Sequence, residues 1–214
     1  MPTSSEHQSP NESLLPTCTA FEGTRRIASG TLPVVALKVK QSLDRGQHAP
    51  LLIFEDETGK LIEVDFRGSP EDVAQRVTAA QPAVIPPGAP AAGAVEVPRK
   101  PGRPRLGVVA REVTLLPRHW EWLNRQPGGA SVAMRKLVEE ARRVNALKDR
   151  VRSAQEVAYR FMSAMAGNEP GFEEALRSLF AGDQARFDSH VEGWPIDVRD
   201  HARKLSAGAF PPGS

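Results

Sequence analysis

The sequence has a single cysteine, Cys18, in 214 residues. That excludes an internal disulfide, a CxxC redox pair and a cysteine-built zinc cluster, and it fits a reducing compartment. No run of about 18 apolar residues occurs, and the first twenty residues are polar, without a basic start and apolar stretch. Neither a membrane span nor a secretion signal is therefore expected, and the chain reads as cytoplasmic. Also missing are GxGxxG after a strand, the phosphate loop GxxxxGK followed by Ser or Thr, HExxH and GxSxG. Without a nucleophile paired to a base or a ligand cage, no catalytic residue, cofactor or metal is assigned. An enzyme with an unfamiliar site stays open as a third reading.

What the chain does have is proline and unevenly placed charge. Its nineteen prolines cluster between Pro82 and Pro104 and at the two ends, marking linkers and tails. The net charge of +2 conceals three regions. Residues 1–98 carry −4 and residues 161–214 carry −3, while residues 99–160, with 15 Lys+Arg against 6 Asp+Glu, carry +9. A regional excess of this kind suits a segment facing a polyanion, or a long helix with a solvated basic face.

Residue patterns predict an α+β fold: a small N-terminal antiparallel sheet with two helices, a Pro/Ala-rich linker, and a mainly helical C-terminal domain preceded by one short strand. The expected boundaries are a tail over 1–16, an α+β domain over 17–80, a linker with a basic arm over 81–107, a strand plus helices over 108–206 and a tail over 207–214. Two hairpins are expected, at residues 18–29 and at 51–55 with 61–66, where Ile62, Val64 and Phe66 alternate. Val34, Leu37 and Leu43 are expected to face the core from the first helix. Ser69-Pro70-Glu71-Asp72 opens the second with a serine cap and a proline at the first helical position.

Beyond the linker, residues 108–116 read as a strand and Pro117 as the start of a short helix ending at Pro127-Gly128-Gly129. Ser131 reads as the cap of a long helix with a break near Asn145. Shorter helices follow at 172–181, 184–192 and 195–205, punctuated by Gly182 and Gly193. Asp197 and His201 lie one helical turn apart, a spacing that could supply two metal ligands but far more often marks a surface contact. Trp120 suits the core at its spacing from Leu123, and Trp122 suits an exposed stacking surface.

Gly102-Arg103-Pro104-Arg105, preceded by Arg99-Lys100, resembles the AT-hook and the minor-groove arm of resolvase-like recombinases. By that resemblance Arg103 and Arg105 would enter a narrow A·T groove. Pro101 stands where an AT-hook has its first arginine. The strand, helix, Gly-Gly turn and Ser-capped helix that follow resemble a ribbon-helix-helix unit, in which two chains pair their strands in the major groove. If Leu116 points inward, Thr114 and Glu112 do so too, and Val113 and Leu115 face the DNA, which is backward for base readout. The resemblance implies DNA as a partner and a homodimer, with Arg99, Lys100, Arg135 and Lys136 on phosphates and Ser131 at a helix start that holds one. The alternative is a protein-interaction module whose basic helix is merely solvated.

Two longer strings are more specific: residues 17–30, TCTAFEGTRRIASG, and residues 111–123, REVTLLPRHWEWL, with Gln126-Pro127-Gly128-Gly129-Ala130-Ser131. On these the chain resembles an uncharacterised bacterial family, domain of unknown function 2239. That resemblance implies no activity, cofactor or catalytic residue.

Overall fold

The computed structural model describes residues 16–46, 49–80 and 111–211. The order of elements is β1 (Thr17–Glu22), β2 (Arg25–Thr31), α1 (Leu32–Asp44), β3 (Leu51–Glu55), α2 (Pro70–Ala80), α3 (Pro117–Asn124), α4 (Gly129–Met165), α5 (Phe172–Ala181), α6 (Gln184–Val191) and α7 (Ile196–Ser206). A 3-10 turn at Ala207–Ala209 follows. The fold is α+β, as the sequence predicts.

The sheet is antiparallel in the order β2-β1-β3, so β1 is its central strand. Gly23, at a φ of 57°, makes the two-residue turn between β1 and β2. Side chains alternate across a strand, and both faces of β1 are covered. Cys18 and Ala20, with Ile53 of β3, pack on Val35 and Val39 of α1. On the other face Phe21 and Phe54 join Val157, Phe161 and Met162 of α4 and Val198, Ala202 and Leu205 of α7. This is why Cys18 to Glu22 are all buried while the edge strand β2 is not.

The chain divides into two compact units. One compact unit joins Met1–Pro82 to Ala146–Ser214, and Ala83–Asn145 is the other. The first boundary falls at Pro82/Ala83 and the second inside α4, which runs through Asn145 without the expected break.

Several local expectations are corrected. Residues 61–66 form no strand: one bridge, Phe54 to Leu61, and one bond from the Ile62 N–H to the Ile53 carbonyl at 2.8 Å are all that join them to β3. Ile62, Val64 and Phe66 still turn inward, onto α1 and α2. Alternation set their facing, but those contacts draw the segment off the ladder. The buried face of α1 is Val35, Ala36, Val39 and Ser42, leaving Val34 and Leu43 exposed. Residues 111–116 form no strand among the described residues. The Ser69 cap holds: its Oγ accepts from the Asp72 N–H at 3.2 Å while the Asp72 carboxylate accepts from the Ser69 N–H at 2.9 Å.

Gly59 sits where the turn after β3 meets α4. Its φ is 67°, and a Cβ there would lie 2.5 Å from the carbonyl oxygen of Val157. Gly46, at a φ of 74°, has no atom within 4 Å of such a Cβ. Gly46→Ala should therefore cost only the backbone strain, about 1 kcal/mol. Gly59→Ala should cost about 3 kcal/mol, because a backbone clash adds to it. Urea denaturation of the two variants checks this; equal losses would contradict the close approach.

Candidate functional site

Arg99, Lys100, Arg103 and Arg105 lie outside the described residues. Ser131, Arg135 and Lys136 lie in the opening turns of α4, and all three are exposed. Ser131 does not cap the helix, which opens two residues earlier at Gly129; its carbonyl accepts from Arg135 Nε at 3.1 Å. The Pro127-Gly128-Gly129 turn, with Gly128 and Gly129 at φ of 86° and 74°, lets the chain enter α4 before the serine is reached.

Within residues 83–145 there are 11 Lys+Arg against 5 Asp+Glu. Arg142 and Arg143 are paired locally, to Glu139 at 3.3 Å and Glu140 at 2.9 Å. Arg111, Arg118, Arg125, Arg135 and Lys136 have no ion pair among the described residues. Their charge is therefore free to act on a ligand.

The same unit holds an apolar hollow of about 360 Å³. Leu115, His119, Trp122 and Leu123 form one side of it, and Met134, Leu137 and Val138 of α4 the other. Leu115 thus turns inward and Leu116 is 48% exposed, the reverse of the phase first expected. Residues 111–114 are all exposed and form no strand, so no alternation of facing extends back from Leu115. Trp122 is exposed as expected, and Trp120, expected in the core, is 37% exposed. Trp194 is the buried tryptophan, donating from Nε1 to the Pro170 carbonyl at 3.0 Å.

The other unit holds a buried polar cluster that no sequence motif marks. Asp56, just after β3, accepts from Thr19 Oγ1 at 2.8 Å and from Lys204 Nζ at 2.7 Å. His201 of α7 stands with Nε2 at 3.7 Å from Asp56 Oδ1, and neither ring nitrogen has a hydrogen-bond partner. Its ring meets Phe161 and Phe21 at 4.7 and 5.4 Å between centroids. Burial pushes the His201 pKa down to about 4, although the Asp56 charge pulls it the other way. Burial opposes ionisation of Asp56, but the hydrogen bonds from Lys204 and Thr19 and the Lys204 charge hold its pKa below the usual value. The cluster is thus a neutral imidazole beside a satisfied carboxylate, packed among aromatic rings.

His201 and Asp197 do not converge on a metal site: the Asp197 carboxylate accepts from the Arg26 N–H at 2.9 Å. Among the described residues no group of three or more His, Cys, Asp or Glu could hold a metal. Cys18 is buried, and burial followed by the charges of Asp56 and Glu55 raises its thiol to about 11, so its nucleophilic thiolate is disfavoured.

Because the folded pKa of His201 is lowered, the unfolded chain binds a proton that the folded chain refuses between pH 6.5 and 4. Stability should fall through that window by about 3 kcal/mol, with no further loss from this group below it. Asp56 acts lower: its stabilisation is present above its usual value of 3.8 and is lost below that value, as the pH falls through its lowered folded pKa. His201→Phe should flatten the upper window in denaturant titrations at a series of pH values, and an unchanged profile would contradict the assignment.

No curated protein and no solved structure is detectably similar to the chain. The likeness carried by residues 17–30 and 111–131 extends across both units: a bacterial family, described as an uncharacterised protein conserved in bacteria and designated DUF2239, matches residues 17–206, and the chain belongs to it.

Proposed function

We propose that the protein is a cytoplasmic, homodimeric, DNA-binding regulator that engages duplex DNA through residues 83–145. The observation that carries this reading is the excess of positive charge there, with Arg111, Arg118, Arg125, Arg135 and Lys136 free of ion pairs among the described residues. Exposed, unpaired cations exchange counterions for phosphates, which gives affinity that falls steeply with salt.

In this reading Arg99, Lys100, Arg135 and Lys136 contact phosphates, with Ser131 in the first turn of α4 beside one, while Arg103 and Arg105 enter a narrow minor groove. A second reading, a protein-interaction module, is favoured by the apolar hollow, which no phosphate backbone would cover. No helix among the described residues is long and apolar enough to cross a membrane.

Fluorescence anisotropy of the full chain on A·T-rich and G·C-rich duplexes over a salt series tests the proposal. Arg103→Ala with Arg105→Ala should abolish the preference for A·T-rich duplex. Arg135→Ala with Lys136→Ala should weaken both duplexes alike and reduce the salt slope by about 2. Absence of binding at low salt would contradict the reading.

A further inference from the structure

We propose that a cavity bounded by β1, α1, α2 and residues 62–65 binds a small organic amine, an apolar body with a protonated nitrogen at one end. The proposal stands apart from the DNA reading, since every residue it uses lies in the other unit.

After β3 the chain gives up the ladder, and Ile62 and Val64 turn onto α1 and α2. With Cys18 of β1, Leu32 of α1 and Val77 of α2 they wall a cavity of about 460 Å³. That volume lies within the range of small-molecule sites, which are likewise mostly apolar with a few polar groups that orient the ligand.

The polar groups here are Glu55, Glu63, Asp65 and Arg76. Two of them are engaged within the protein. The Asp65 carboxylate accepts from both Nε and Nη2 of Arg67 at 2.9 Å, and Arg76 donates from Nη2 to the carbonyls of Asp65 and Arg67. Glu55 and Glu63 have no ion pair among the described residues. Glu63 is exposed, but Glu55 is half-buried, and its carboxylate is met only by the neutral Thr58 hydroxyl, at Oε2. A carboxylate drawn back from water without a cation lacks the partner that such groups ordinarily have.

The negative field of these groups reaches the apolar wall. Cys18 stands opposite Glu55 in the ladder, and burial, followed by the charges of Asp56 and Glu55, raises its thiol to about 11. A ligand that fills the cavity therefore gains by carrying positive charge. An ammonium group can donate to Glu55 and Glu63 in charge-assisted hydrogen bonds while its apolar body covers Cys18, Leu32, Ile62, Val64 and Val77. A carboxylate or phosphate ligand would set like charges together. A bare metal ion finds no group of three or more His, Cys, Asp or Glu among the described residues and would leave the walls uncovered.

Calorimetric titration of the full chain at neutral pH with hexylamine, hexanol and hexanoate, which share one chain length, tests this. Hexylamine should bind about tenfold more tightly than hexanol, and hexanoate more weakly than either. Glu55→Gln keeps an acceptor for Thr58 and should remove the advantage of the amine while hexanol binds as before. Glu63→Gln, at an exposed position, should weaken hexylamine about threefold and leave hexanol unchanged. It decides the matter if Glu55→Gln binds neither ligand. Amide chemical shifts on adding hexylamine should centre on Cys18, Leu32 and Val77. Hexanoate bound as tightly as hexylamine, an amine advantage that survives both substitutions, shifts centred elsewhere, or no binding at millimolar hexylamine would each overturn the proposal.

Discussion

The structure depends on the meeting of three phenylalanine rings across the face of the sheet opposite α1. Phe21 and Phe54 contact Phe161 at 5.4 and 5.0 Å and each other at 6.2 Å between centroids. Aromatic rings bury large apolar areas, and their edge-to-face contacts add to that. The helix α1 covers one face of the three-stranded sheet, and this contact covers the second. It brings residues near the start of the sequence onto helices more than 130 positions later. His201, Asp56 and Lys204 border the junction and tie its stability to pH.

The same economy explains what the remainder of the chain lacks. Phe21 and Phe54 bind residues 157–162 of α4 to the sheet, while residues 135–145 of the same helix bury nothing. Apolar side chains that one unit sequesters are left in solvent in the other, beside cations without acidic partners. One sequence thus combines a core that is complete in itself with a segment whose hydrophobic and electrostatic requirements are both unmet. The proposed DNA binding answers the second requirement.

Elements bounded by local signals were legible in the sequence. Gly182, at a φ of 73°, and the Ser69-Pro70 start set helix ends because φ and capping act within a few residues. Features settled by distant partners were not. The alternation of Ile62, Val64 and Phe66 gave the right facing and the wrong element, since the pull of α1 and α2 is invisible locally. Val34 and Leu43 were misplaced because the first helix is apolar on more than one side, and only the sheet decides which side is inner. His201 paired with Asp56 across 145 residues, where spacing is silent. A usable signal existed, however: Val198, His201, Ala202 and Leu205 share one helical stripe, which should have turned the histidine inward. Among residues 111–116, Leu115 lines the hollow and Leu116 is exposed, a facing decided by contact with α4 that no local pattern shows.

Hydrogen exchange on the full chain, dilute and concentrated, with and without duplex DNA, tests most directly the claim that one core is self-sufficient while residues 111–145 await partners. The account predicts strong protection in β1, β3, residues 157–162 and α7 under all conditions, with residues 111–145 exchanging fast when dilute and slowing as chain concentration rises and DNA is added. Protection of residues 111–145 as strong as that of the core in the dilute, DNA-free chain would contradict it.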